Sequence, residues 1–83
     1  MNGNVDPELE GLVLAVHRRN GGTLTRLDRE FRLLDPKLKI DSLDLAEIMV
    51  EVERRCGASP FDSTRAPRTW GDVSDWMQTR KTR

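Results

Sequence analysis

The chain is 83 residues long, with 14 basic and 14 acidic side chains, a formal net charge of zero and a pI near 6.6. A domain of this length buries only about 60–65% of its unfolded surface, which gives one compact core and no room for an internal active-site cavern. No apolar run approaches the roughly 18 residues of a membrane span, and the single cysteine and single histidine exclude an internal disulfide and a zinc site built on those ligands.

The opening "MNGNVDPELEG" has neither the basic start nor the apolar stretch of a secretion signal, so the chain is expected in the cytoplasm. In "DPELEGLVLAVHRRNGG", Leu9, Leu12, Val13 and Val16 fall on one helical stripe. Asp6 suits the N-cap, Pro7 the first helical position, and Gly21-Gly22 the stop, which predicts helix I over 6–20. His17 lies near its end, where an imidazole on the surface suits the negative pole of the helix. Residues 21–40 form a long connection. Leu24, Leu27, Phe31 and Leu34 lie near helical spacing, so a turn or two of helix is expected there, with these side chains pinned to the core and Asp35-Pro36 as the break.

Helix II is expected over 42–56, starting at Asp41 or Ser42, with Gly57 as its terminator. Leu45, Ile48, Met49 and Val52 make an inward stripe. Leu43, Ala46 and Val50, flanked by Glu47, Glu51 and Glu53, make a shallower row that can pack inward or face a partner. The connection "ASPFDSTRAPRT" leaves room for a short helix III at about 62–66. Thr69 and Asp72 form a capping box opening helix IV over 70–79, with Val73, Trp76 and Met77 on its apolar face and a basic tail at 80–83. No alternation of strand type occurs. The expected fold is all-α, a single-domain small four-helix bundle of three main helices and one short one.

The charges come in blocks. Between His17 and Lys39 lie Arg18, Arg19, Arg26, Arg29, Arg32, Lys37 and Lys39, whereas 41–53 carries Asp41, Asp44, Glu47, Glu51 and Glu53 with no basic residue. Such segregation suggests two electrostatic faces. The basic segment suits phosphate contacts, but the acidic helix II and zero net charge count against a nucleic-acid partner.

Ser42 stands between Asp41 and Leu43 at a helix start. A hydrolytic serine needs a base and oxyanion donors; the flanking residues are not the Gly-x-Ser-x-Gly elbow, and His17 is the one histidine in the chain. An enzyme is not expected. Two roles remain for the hydroxyl: a helix cap, contributing about 1 kcal/mol, or an exposed attachment point whose phosphodiester would lie beside free backbone N–H groups at the positive end of the helix dipole.

Taken together, "LKIDSLDLAEIMVEVERRCG", "SPFD" and "TWGDVSDWM" resemble the acyl carrier proteins, in which an L-G-x-D-S-L-[DE] signature opens helix II. Leu38, Asp41, Ser42, Leu43 and Asp44 fit the signature. Ile48 and Val52 fall on its helix II core positions, Gly57 on its terminator, Pro60 on the connection, and Thr69, Asp72, Val73 and Trp76 on helix IV, so that the match covers roughly residues 38–77. The resemblance implies an acyl-carrier-like bundle whose Ser42 receives 4'-phosphopantetheine from coenzyme A through a separate phosphopantetheinyl transferase, with Asp41 assisting that enzyme through its magnesium. It implies a monomer that carries acyl groups as thioesters to loading, ketosynthase or acyltransferase-type enzymes of fatty-acid, polyketide or another specialised pathway. Leu43, Asp44, Ala46, Glu47, Val50 and Glu53 would be the strip those partners read, and the apolar interior between helices II and III would shelter the acyl chain.

The chain departs from the pattern in several places. Lys39 stands where the signature has Gly, and Ile40 precedes Asp41. Arg54 and Arg55 occupy helix II positions often acidic in the family, Arg65 and Arg68 flank the helix III region, and Lys37 and Lys39 make the approach to Ser42 basic. These departures point to a dedicated carrier with partner surfaces of its own. A peptidyl or aryl carrier is the nearest alternative, although the glycine-glycine-histidine approach common in peptidyl carriers is absent. A helical protein-interaction adaptor without prosthetic group is the other.

Overall fold

The structure, a computed structural model, describes residues 5–62 and 64–81. Among them are three α-helices, α1 (Pro7–Arg19), α2 (Ser42–Cys56) and α3 (Trp70–Lys81), and two 3-10 turns, Pro36–Leu38 and Pro60–Asp62. The described residues contain no strand; Arg32 and Thr69 form an isolated antiparallel bridge. No described helix is long and apolar enough to cross a membrane.

Each helix starts where its capping chemistry dictates. The Asp6 carboxylate accepts the Glu8 and Leu9 N–H groups at 2.9 and 3.3 Å, and Pro7 occupies the first turn of α1. Asp41 and Asp44 form a reciprocal capping box at α2. Thr69 and Asp72 do the same at α3, with the Asp72 N–H donating to Thr69 Oγ1 at 3.1 Å and the Thr69 N–H donating to Asp72 at 3.2 Å. Gly57 closes α2 at φ 78°, in the left-handed region a glycine enters without strain, and its N–H donates to the Glu53 carbonyl. The expected helix IV ends two residues early, since α3 continues to Lys81; residues 82 and 83 of the expected basic tail lie outside the described residues.

The expected helix III at 62–66 is replaced by the 3-10 turn at Pro60–Asp62, and residues 64–66 are not helical, while residue 63 lies outside the described residues. The local chemistry explains this. Ser59 takes the N–H of Phe61 on its hydroxyl and that of Asp62 on its carbonyl, and Pro67 disfavours helical backbone at Ala66.

The long connection also holds no α-helix, because its donors find other partners. The Leu24 N–H donates to His17 Nε2, Leu27 N–H to Glu10, and Glu30 N–H to Asp28. The Leu33 N–H donates to the Arg68 carbonyl, and Phe31 O accepts from Trp70 N–H. With backbone groups satisfied in this way, a helix gains nothing there. Leu24 and Phe31 are half-buried against the core, Leu27 is buried, and Leu34, expected as an anchor, is 46% exposed. Leu33, Leu38 and Ile40 take the anchoring role instead.

The core joins Leu9, Val13 and Val16 of α1, Ile48, Met49 and Val52 of α2, and Trp70, Val73 and Met77 of α3 with those connection residues. Leu45, on the expected inward stripe, is half-buried at its edge. Each such aliphatic side chain contributes about 1.5–3 kcal/mol on burial, so Leu38 and Ile40 fix the approach to α2 firmly in place.

His17 overturns its expected surface position. It is 1% exposed, and its ring staples the connection to α1. A backbone N–H can only donate, so Nε2 accepts from Leu24 at 3.0 Å. Nδ1 therefore carries the proton and donates to the Leu38 carbonyl at 2.8 Å. Gly22 makes room for this, because a Cβ there would collide with the imidazole.

Candidate functional site

The start of α2 is built from the connection outward. Leu38 and Ile40 are buried, Lys39 between them is exposed, and the backbone at Lys39 is left-handed, at φ 57° and ψ 36°. Single non-glycine residues in this region cost about 1–2 kcal/mol. Asn20, the C-cap of α1, braces the turn by donating its side-chain amide to the Lys39 carbonyl at 2.7 Å and to Asp44 Oδ2 at 2.9 Å.

Asp41 is the N-cap, and its Oδ1 accepts the Asp44 N–H at 2.8 Å. Ser42 is the first helical residue and is exposed. Capping therefore belongs to Asp41, and the Ser42 hydroxyl makes no hydrogen bond among the described residues. The N–H groups of the first helical residues lack intrahelical partners and carry the positive end of the helix dipole. Ser42 thus presents a free hydroxyl at an anion-favouring end.

Beyond Ser42, Leu43 is 79% and Val50 55% exposed, and Ala46 is exposed between them. Spaced at i, i+3 and i+7, they form one outward apolar row. The acids beside it are not all open to solvent partners. Arg19 bridges Asp44 at 3.0 Å and Glu47 at 3.0 Å. The Asp44 carboxyl is held below its ordinary value first by the Asp41 N–H and the Asn20 amide, with Arg19 adding to both. Glu47 is lowered by Arg19. Glu51 pairs with Arg54 and Arg55, and Arg55 also reaches Glu8. Glu53 is exposed. Of the basic block at 17–39, Arg19 is the residue that pairs with the acidic segment of α2, while Arg26 and Arg29 pair with Glu10 and Asp75 instead.

Of the expected site residues, Asp41, Ser42, Leu43, Asp44, Ala46, Glu47, Val50 and Glu53 all share this helix and its accessible side, apart from half-buried Asp44. Lys37, Arg65 and Arg68 are exposed. Sequence reading missed Arg19 and Asn20, which look like an ordinary basic helix end; their approach to α2 follows only from the packing of the two helices. Beside α2 an open groove of about 670 Å³ runs between the connection at 32–36, Leu45 and Phe61.

Among the described residues no group of three or more His, Cys, Asp or Glu side chains is arranged to hold a metal ion. No family model, no curated protein and no solved structure matches this chain.

Proposed function

We propose that the chain is a carrier protein of acyl-carrier type, a four-helix-type bundle with its third helix reduced to a turn, and that Ser42 is the attachment point for 4'-phosphopantetheine. The observation that carries this reading is the division of labour at the start of α2. Asp41 closes the helix, which leaves an exposed Ser42 hydroxyl with no structural duty. The left-handed backbone at Lys39 adds support, since the signature has glycine at that position and glycine suits that conformation.

The residues present fit the group. A phosphodiester on Ser42 Oγ would lie at the N-terminal pole of α2, where free N–H groups and the dipole favour an anion. Asp41 and Asp44 oppose it electrostatically, and Arg19 pairs with the carboxylate of Asp44. When bound, the arm supplies a thiol that holds an acyl group as a thioester. The chain's own residues do the rest. Ser42 anchors, Asp41 fixes the backbone that aims the anchor and lies open to the transferase, and Leu43, Ala46 and Val50 give partner enzymes an apolar row to dock on. Because Arg19, Arg54 and Arg55 already engage Asp44, Glu47 and Glu51, such partners would rely less on basic patches than partners of strongly acidic carriers do.

The exposed apolar row fits an adaptor without prosthetic group equally well, so the test must address the hydroxyl. The chain is incubated with coenzyme A and a promiscuous phosphopantetheinyl transferase, and its intact mass is read. The expected result is a gain of one phosphopantetheine that vanishes in Ser42→Ala while far-UV circular dichroism is unchanged. No gain in the parent chain leaves the adaptor.

A further inference from the structure

The groove beside α2 is lined by apolar side chains and by two arginines. Leu34 and Phe61, 46% and 44% exposed, line it together with Leu45, which sits one turn along α2 from Ser42. Arg32 and Arg68 line it together. The segments that carry them are held side by side by the Arg32–Thr69 bridge and by the bond from Leu33 N–H to the Arg68 carbonyl, at 3.2 Å.

Among the described residues neither guanidinium forms an ion pair, unlike Arg19, Arg29, Arg54 and Arg55, which all do. Among the described residues Asp35 is the one carboxylate lining the groove, and its Oδ1 accepts the Lys37 N–H. The groove therefore carries two cations against one anion beside an unfilled apolar surface.

We propose that this groove selects an acyl cargo that is apolar along its length and ends in a carboxylate, carried on Ser42 of the same chain. The proposal rests on the carrier reading and specifies its cargo. A plain alkyl chain would cover Leu34, Leu45 and Phe61 but leave both guanidiniums unused. A terminal carboxylate covers the same carbons and accepts charge-assisted hydrogen bonds from Arg32 and Arg68. An aminoacyl cargo with its ammonium group would be repelled, which separates this chain from carriers of amino-acid thioesters. Solvent access limits the gain, so preference rather than exclusivity is expected.

The test loads Ser42 with hexanoyl or hexanedioyl arms from the corresponding coenzyme A thioesters and follows the Leu34 and Leu45 methyl signals by NMR. The hexanedioyl arm is expected to dock with a constant about three- to five-fold larger than the hexanoyl arm, with the Arg32 and Arg68 Nε–H signals shifting as well. In Arg32→Gln/Arg68→Gln the ratio is expected to fall to one while arm attachment persists. Equal docking in the parent chain, or a ratio that survives the double substitution, overturns the proposal. If intact mass shows no arm at all, the carrier reading fails separately, and free hexanoate is then titrated against hexan-1-ol. A preference for hexanoate that the double variant loses sustains the groove's taste for anionic chain ends; equal binding overturns it.

Discussion

The starts of α1 and α2 use the same residue for opposite ends. Both helices are capped by an aspartate. Asp6 is 2% exposed and is tied to α3 twice, by its own N–H to the Ser74 hydroxyl at 2.7 Å and by Gln78 donating to its Oδ2 at 2.8 Å. Asp41 is exposed, and among the described residues its carboxylate and its N–H bond only within the capping box with Asp44. One cap is a buried lock between the first and last helices, and the other is a frame that leaves its neighbour, Ser42, to solvent. The same local chemistry is structural where tertiary contacts close over it and presentational where they do not.

That contrast can be broken by substitution, and the largest effect belongs to the locked side. His17→Ala removes two hydrogen bonds to backbone groups and a fully buried ring, so a loss of about 3 kcal/mol is expected by urea unfolding. A loss under about 1 kcal/mol would show that the connection does not depend on the staple. Next, Asp6→Ala should cost about 2 kcal/mol, since three donors lose their acceptor in a buried site. Asp41→Ala should cost about 1 kcal/mol, the ordinary worth of an exposed cap. Equal losses in these two variants would erase the distinction between lock and frame.

Smaller effects sharpen the open side. Lys39→Gly relieves the left-handed backbone but loosens the unfolded chain, and a net stabilisation of about 0.5 kcal/mol is expected in the same assay. The smallest effect concerns acid. The carboxyls of Asp44 and Glu47 titrate below their ordinary values in the folded chain. Their contribution is therefore complete above the ordinary carboxylate range near pH 4 and is lost as pH falls through that range and below it. Arg19→Gln should flatten the dependence of the unfolding midpoint between about pH 5 and pH 2, with Asp44 retaining the share that comes from the Asp41 N–H. An unchanged slope would mean the Arg19 latch contributes nothing in solution.

Sequence reading captured what is local and periodic. The three α-helices start at Pro7, Ser42 and Trp70, where capping aspartates and a threonine sit in sequence beside apolar stripes. It failed where long-range partners decide. Leu24 to Leu34 has near-helical spacing, yet its donors are taken by His17, Glu10 and Arg68 carbonyl oxygen, contacts no local pattern reveals. His17 looked like a polar helix end and is buried because the connection folds back over it. Trp70 escaped the stripe containing Val73 and Met77, although it is fully buried. At the candidate site spacing groups Leu43, Ala46 and Val50 in one row but leaves open whether it packs inward or faces out, which the fold decides, and it gives no sign of Arg19, because its carboxylate partners lie 25 and 28 residues away.

The most direct test of the account is fragment mass mapping of the chain after incubation with coenzyme A and a phosphopantetheinyl transferase. The account predicts one phosphodiester-linked arm, found on the peptide containing Ser42 and on no other. An unmodified Ser42 peptide, or an arm on a different serine, would contradict it.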